Sequence, residues 1–155
     1  MPGLGQTAAA VILAEIGDTV APFPTAGHLV SWAGLCPRLD ESAGKRRSSR
    51  TRQGAPWLKT TLVQAAWAAT RNKDGDFHAQ FLRLKSRRGP KKAILAVAAS
   101  MLTDVYHMLR DGVEFHDLGR QYFVQRGPDK ERVTKRLLAR LRELGVDVEV
   151  KGKAA

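Results

Sequence analysis

The sequence predicts an all-α protein, a small helical domain that opens with a helix-hairpin-helix-like turn and continues into a helical extension. Apolar residues recur at helical spacing in several segments, for example at Leu58, Leu62, Ala65 and Ala69. From Pro90 to about Arg110 this pattern is long enough for a helix of about 30 Å. Only Val146–Val150 alternates like a strand, and nothing else in the sequence offers it a sheet.

The chain begins with a tight turn over Pro2–Gly5, and Thr7–Ile16 is predicted to form a helix that ends at Gly17. Two glycines around an apolar residue before a helix are typical of the second half of a helix-hairpin-helix. Gly3 and Gly5 would let the backbone approach a DNA phosphate, and the helix N-terminus would offer it free N–H groups. An ordinary turn between helices is the alternative. The helix that should precede such a hairpin is missing from the sequence, so we expect a chain cut from something longer.

The remaining helices follow from caps, breakers and periodicity. Residues 112–125 are expected to be irregular. The predicted helices run from Thr25 as N-cap to Ala33, from Pro56 onward, from Asp76 as cap to the Gly89-Pro90 break, from Pro90 to Arg110, and from Asp129 to Leu144. We assign residues 1–88 to one domain and residues 89–155 to the helical extension. Trp57 and Trp67 lie within the apolar pattern, so we expect them to pack in the core rather than to stack on bases.

The charge of the chain indicates a polyanionic partner. Lys and Arg number 26 against 15 Asp and Glu, a net charge of +11, and such an excess favours DNA or RNA through phosphate neutralisation. A membrane surface is less favoured, because no lipid-facing stretch stands apart from the core pattern. One cysteine, Cys36, excludes an internal disulfide and fits the cytoplasm, where we expect the protein to act. No signal peptide is apparent, and the apolar run Ala93–Leu102 is too short to span a bilayer.

The segment Gly34–Gly54 is a basic loop between two helices. Guanidinium groups bind phosphate oxygens, and small residues allow a close approach. A solvated, disordered loop is the alternative. Its candidate phosphate-binding cations are Arg38, Lys45, Arg46, Arg47, Arg50 and Arg52, and its serines are Ser42, Ser48 and Ser49.

The candidate chemistry rests on a serine rather than on a metal. The histidines have no partner at ligand spacing, and the acidic residues do not form the cluster that two-metal phosphoryl transfer requires. If the protein cuts nucleic acid with a metal, the carboxylates come from elsewhere. Ser42 precedes a small residue, a glycine and three cations, which could stabilise charge during its attack on a phosphate. Serine beside basic residues is also common in ordinary loops.

Four motifs in register carry a resemblance to a known family: PGLGQTAAAVILAEIGD, FPTAGHLVSWAGLCP, ESAGKRRSSRTRQG and PWLKTTLVQAAWAA. Together they resemble the C-terminal domain of insertion-sequence transposases that pair a RuvC-like DEDD domain with a serine-bearing domain, the bridge-RNA-guided recombinases. The resemblance is densest over residues 1–71.

The resemblance implies DNA transposition in which a serine attacks a phosphodiester and becomes joined to the strand end. Ser42 matches that serine, while Ser48 and Ser49 resemble phosphate contacts. The family also implies Mg²⁺ bound by the RuvC-like domain of a neighbouring protomer, a guide (bridge) RNA and a homo-oligomer. Since the RuvC-like domain is absent from this sequence, we expect the chain alone to bind DNA and cut nothing. The alternative is a non-enzymatic helix-hairpin-helix module that binds nucleic acid.

Overall fold

The computed structural model describes residues 1–38, 40–48, 50–122 and 130–146, and of Asp40, Arg46 and residues 130–133 the backbone alone. The predicted all-α class is confirmed, since helices make up most of this part and the strands are short. The helix-hairpin-helix stays a prediction, and residues 147–150 of the expected strand lie outside the described residues. The elements are α1 Gln6–Ile16, α2 Ala26–Trp32, β1 Asp40–Ser42, β2 Lys45–Ser48, α3 Pro56–Ala69, α4 Asp76–Arg88, α5 Pro90–Asp111 and α6 Lys130–Glu143.

The chain divides into two compact units, residues 1–122 and 123–155. The first holds α1 to α5 and the strands, and the second holds α6, a basic amphipathic helix on which Leu137 is exposed. The domain boundary predicted after residue 88 concerns the extent of a family module and stays a prediction. Within the first unit, α4 and α5 pack against each other across that position.

Helix α5 is the central helix of the first unit. It contacts α2, α3 and α4, as its predicted apolar stripe requires. By length and composition alone α5 could also cross a bilayer, but its buried side chains account for that composition because they fill the centre of the unit. They are Ala93, Ile94, Val97, Ala98, Met101, Leu102, Val105 and Tyr106.

Tyr106 ties α5 to the start of α2. Its ring is 2% exposed, and its hydroxyl donates to the carbonyl oxygen of Phe23 at 3.0 Å. Phe23 in turn packs against Trp32, with ring centroids 5.4 Å apart. Thr25 caps α2 as predicted, because its Oγ1 accepts a hydrogen bond from the backbone N–H of His28. These contacts position α2 against α5.

The N-terminal turn packs directly on α3, and Gly3 makes this possible. Gly3 has φ +78°, and a Cβ there would lie 2.2 Å from the carbonyl oxygen of Ala65 and 2.7 Å from the backbone nitrogen of Ala69. Gly5, the N-cap of α1, has φ −86°, and a Cβ there would meet nothing within 4 Å. The two glycines therefore differ: Gly3 is required by packing and backbone conformation, and Gly5 by neither.

We expect Gly3→Ala to lower the free energy of unfolding by more than about 2 kcal/mol, because a left-handed alanine and an overpacked contact both add cost. Gly5→Ala is the matched control and should lower it by no more than about 1 kcal/mol, the cost of replacing a glycine by an alanine at an N-cap position. Urea unfolding followed by circular dichroism measures both values. Equal losses for the two variants would contradict the packing of this turn on α3.

The segment after α5 caps α4 from a distance. Asp117 Oδ1 accepts hydrogen bonds from the backbone N–H of Asp76 at 3.1 Å and of Gly119 at 2.8 Å. Phe115 stacks on Phe77 with ring centroids 5.7 Å apart. The prediction that Asp76 caps α4 is wrong: Gly75 is the N-cap without a side-chain hydrogen bond, and Asp76 is the first helical residue. The cap comes from a residue 41 positions later in the chain.

Two carboxyl groups share an unfavourable environment beside this cap. Asp76 is 7% exposed, and its Oδ1 has no hydrogen-bond partner within the described part of the chain. Burial, and then the charge of Asp117, raise the pKa of Asp76. On α5, burial and the charge of Asp76 raise the pKa of Asp104 to about 6, while His107 acts in the opposite direction. Between these two pKa values, 3.8 and about 6, the folded protein thus holds a proton on Asp104 that the unfolded chain would release.

The raised pKa of Asp104 predicts a pH-dependent stability. The folded state binds more protons than the unfolded state between the ordinary pKa of 3.8 and the raised value of about 6. Stability should therefore fall as pH rises through that window and stay lower above it. Asp104→Asn, which does not titrate, should gain melting temperature relative to the parent chain across the same window. Thermal melts from pH 4 to pH 8 test this, and a gap between the two chains that does not change with pH would contradict it.

Candidate nucleic-acid interface

The predicted basic loop is a two-stranded arm, which we call the basic arm (residues 34–54). Its two strands come closest together at a narrow neck, where Gly34 has φ +73° and Gly54 has φ +58°. A Cβ on Gly54 would lie 2.4 Å from the Gly34 nitrogen, so both positions require glycine. Beyond the neck, Pro37 forms a β-bridge with Thr51, and strands β1 and β2 complete the ladder. Residues expected to form a loop therefore have a defined direction and register.

Lys59 fixes the base of the arm to α3. Its Nζ donates to Thr51 Oγ1 at 2.8 Å and to the carbonyl oxygen of Arg52 at 3.0 Å. On the other strand, the backbone N–H of Arg38 donates to the carbonyl oxygen of Arg50 at 2.8 Å. The arm is thus hydrogen-bonded across its own strands and onto the helix that follows it.

The tip of the arm is a two-residue turn that holds Ser42 opposite Lys45. The turn residues Ala43 and Gly44 have φ +51° and +73°. Positive φ at both positions is typical of a type I′ hairpin turn. Ala43 is the one described non-glycine residue with positive φ, a conformation that costs about 1–2 kcal/mol for an L-residue. The hairpin tolerates this strain at the residue next to the candidate nucleophile, and such strain is frequent at functional sites.

A break in register affects the arm's second strand. Asp40 pairs with Ser48, whereas Glu41 pairs with Arg46, so Arg47 has no partner residue on the first strand. One unpaired residue in a strand is a β-bulge, which bends the strand and redirects the side chain. Arg47 is exposed, and it is the extra residue of the bulge, outside the regular pairing of the ladder.

The charge of the arm is available to an external anion. The arm has six cations against two acidic residues, and all of its cationic side chains that the structure describes are exposed. Within the described part of the chain none of them forms an ion pair. These side chains are Arg38, Lys45, Arg47, Arg50 and Arg52; of Arg46 the structure describes the backbone alone.

The three serines occupy different situations. Ser42 is exposed at the tip. Ser48 is half-buried, and its Oγ accepts a hydrogen bond from the backbone N–H of Arg50 at 3.2 Å. Ser49 lies outside the described residues. Of the two described serines Ser42 is the more exposed, and the roles assigned to all three serines stay predictions.

The expectation that Trp57 packs in the core is wrong. Trp57 is 75% exposed, whereas its neighbour Leu58 is fully buried. Successive helical residues differ by about 100°, so one position along an apolar pattern decides which side of the helix a residue occupies. Trp67 is 45% exposed and packs edge-on against Phe81 with centroids 5.5 Å apart.

The predicted glycines line a groove of about 340 Å³ between α1 and α3. A DNA contact at Gly3 and Gly5 stays a prediction. Among the residues that the structure describes, no three His, Cys, Asp or Glu side chains lie close enough together to hold a metal ion. The groove residues are Gly3, Gly5, Gln6, Thr7, Ala8, Val11, Thr61, Gln64 and Ala65.

Residues 1–82 match the model of the Transposase IS116/IS110/IS902 family. This segment contains the N-terminal turn, α1 to α3, the whole basic arm and the first half of α4. No solved structure matches the chain.

Curated relatives agree with this family match. The chain is 35% identical over 114 residues to the "Insertion element IS110 uncharacterized 43.6 kDa protein" of Streptomyces coelicolor, covering 72% of this chain and 28% of that protein. It is 30% identical over 119 residues to the "Pilin gene-inverting protein" of Moraxella bovis and to that of Moraxella lacunata, covering 74% of this chain and 36% of each. The chain thus spans about a third of the length of these relatives. It belongs to the IS116/IS110/IS902 transposase family.

Proposed function

We propose that this chain is the C-terminal DNA-binding and serine-bearing module of an insertion-sequence transposase, acting in DNA transposition or site-specific recombination. The observation that carries the proposal is the position of Ser42, exposed at the tip of an arm whose described cations form no ion pairs within the described chain. The arm lies wholly within the segment that matches the family. The names of the Streptomyces and Moraxella relatives, an insertion-element protein and gene-inverting proteins, support an action on DNA.

In the proposed reaction Ser42 Oγ attacks the phosphorus of a DNA phosphodiester. A bond forms between the serine oxygen and phosphorus, and the bond to the oxygen of the departing strand end breaks. Negative charge on the non-bridging oxygens is neutralised by arm cations, first by Lys45, which the register places opposite Ser42. Joining is the reverse attack, in which a new strand end displaces the serine.

Other parts of the machinery come from outside this chain in this proposal. A RuvC-like DEDD domain, supplied by a neighbouring protomer of a homo-oligomer, would bind Mg²⁺ and take the proton of Ser42. A guide RNA would select the target. Such a domain provides the clustered carboxylates that metal-assisted phosphoryl transfer requires. The isolated chain should accordingly bind DNA without cutting it.

The affinity for DNA should depend steeply on salt. Each neutralised phosphate contributes about −0.9 to the slope of log K against log salt, so Arg47→Ala with Arg50→Ala should make the slope shallower by about 1.8. The matched control is Arg87→Ala with Arg88→Ala, which removes two exposed cations from the end of α4. Fluorescence anisotropy with a duplex at several salt concentrations measures the slopes. If the control variant makes the slope as shallow as the arm variant does, that result would contradict a specific role for the arm.

Ser42→Ala should abolish covalent protein–DNA adducts when the chain is joined to a RuvC-like domain of its family. Binding should weaken by no more than about tenfold, because one neutral hydrogen bond contributes only about 1 kcal/mol. Ser48→Ala is the control and should retain the adduct, since the Ser48 hydroxyl accepts a hydrogen bond from the backbone N–H of Arg50. A denaturing gel with labelled DNA detects the protein-linked strand. An adduct that survives Ser42→Ala would move the nucleophile elsewhere, and the lack of any adduct in the parent protein would favour the non-enzymatic binding module.

A further inference from the structure

Trp57 is the tryptophan that the fold leaves without a ring partner among the described residues. Trp32 packs against Phe23 and Trp67 against Phe81, whereas Trp57 has no aromatic contact of this kind and is 75% exposed. A tryptophan buries a large apolar area when a partner covers it, and Trp is enriched at interfaces for this reason. Its position on α3 indicates what could cover it.

Trp57 begins a polar face of α3. Thr61 and Gln64 follow it at intervals of four and three residues, so the three side chains lie on the same side of the helix. Thr61 and Gln64 also line the groove between α3 and α1. The distance along the helix from Trp57 to Gln64 is about 10 Å, which matches about three bases stacked ~3.4 Å apart along one strand.

The chemistry of this face suits nucleic acid better than a protein partner. One aromatic ring is followed by a hydroxyl and an amide, which can both donate and accept hydrogen bonds, and not by the further apolar side chains that a docked helix would bury. The first turn of α3 carries no acidic residue. The second strand of the basic arm leads into this turn, so the exposed side chains of Arg50 and Arg52 lie seven and five residues before Trp57 in the chain. Basic residues together with an exposed aromatic ring are the usual elements of a single-strand binding surface.

We propose that the α3 face formed by Trp57, Thr61 and Gln64 binds an unpaired stretch of nucleic acid, with Trp57 stacked on one base. The partner is unpaired because a duplex hides the faces of its bases in the stack, where an indole cannot reach them. The inference rests on the proposed function, in which the basic arm holds the strand by its phosphates. It adds that the strand is open beside the arm and that its bases, not only its phosphates, are contacted.

The test compares Trp57→Ala with the parent chain on three probes: a mixed-sequence single-stranded DNA, an RNA of the same sequence and the DNA duplex. Loss of one stacked base should weaken single-strand binding roughly 5- to 150-fold and duplex binding by less than about threefold. Trp57→Phe should recover most of the affinity because it keeps an aromatic face. Leu82→Ala, which truncates another exposed apolar residue on α4, is the control and should change no affinity. A loss on DNA, on RNA or on both supports the inference and identifies the strand.

A single-stranded probe with abasic sites provides a second measurement. It should bind the parent chain more weakly than the intact probe, and Trp57→Ala should no longer distinguish the two. Unchanged single-strand affinity in Trp57→Ala would overturn the inference, as would an equal loss on single strand and duplex. A drop in molar mass by light scattering on Trp57→Ala would also overturn it, because the ring would then be covered by a second copy of the chain. The salt slope of duplex binding and the Ser42 adduct do not depend on Trp57, so their failure would be distinguishable from the failure of this inference.

Discussion

The neck of the basic arm, where the backbones of Gly34 and Gly54 meet, is the contact on which the candidate site depends. The two backbones approach so closely that a Cβ on Gly54 would lie 2.4 Å from the backbone nitrogen of Gly34. Ala33 and Ala55, which flank the neck, are buried in the same core as Leu29 and Leu58. Helices α2 and α3 therefore hold both ends of the arm, and the two strands must leave the unit together. A long irregular connection would scatter its cations over many positions, and the neck replaces that freedom with one direction and one register.

Stability and chemistry are separated along the arm. The base is held by buried alanines, by the close contact of Gly34 and Gly54 at the neck and by the hydrogen bonds of Lys59. The tip has no burial to stabilise it, and it carries both an unfavourable alanine conformation and a concentration of like charge. Like charges on a narrow ribbon repel one another, and an external polyanion relieves that repulsion. If the arm binds a phosphate backbone as proposed, binding would therefore stabilise its tip.

The sequence predicted α1 to α5 well because each of them buries one side in the core of the first unit. Periodicity reports that burial directly, and Thr25, Pro56 and Pro90 mark helix starts through local chemistry. Trp57 was placed wrongly because it was grouped with the apolar stripe for its apolar character alone. The stripe Leu58, Leu62, Ala65 and Ala69 is buried as predicted, and Trp57 precedes it by one position, about 100° away around the helix. The cap on Asp76 could not be predicted from local sequence, since its acceptor is Asp117, 41 residues away.

The arm's ladder was hidden for a different reason. Its turn is Ala-Gly, whereas the usual signal for such a hairpin is Asn-Gly or Asp-Gly. Its strands carry charged and small residues with low strand preference, so neither strand has a pattern that predicts it. What makes them pair is the neck, a tertiary contact between glycines 20 positions apart. The glycines at both ends of the basic segment were visible in the sequence, but composition alone did not reveal their role. Their contact at the neck sets the direction of the arm, and Ser42 is exposed at its tip, away from the core. Ser42, the proposed nucleophile, is thus positioned by backbone register and not by packing, which is compatible with the proposal that the groups activating it come from another domain.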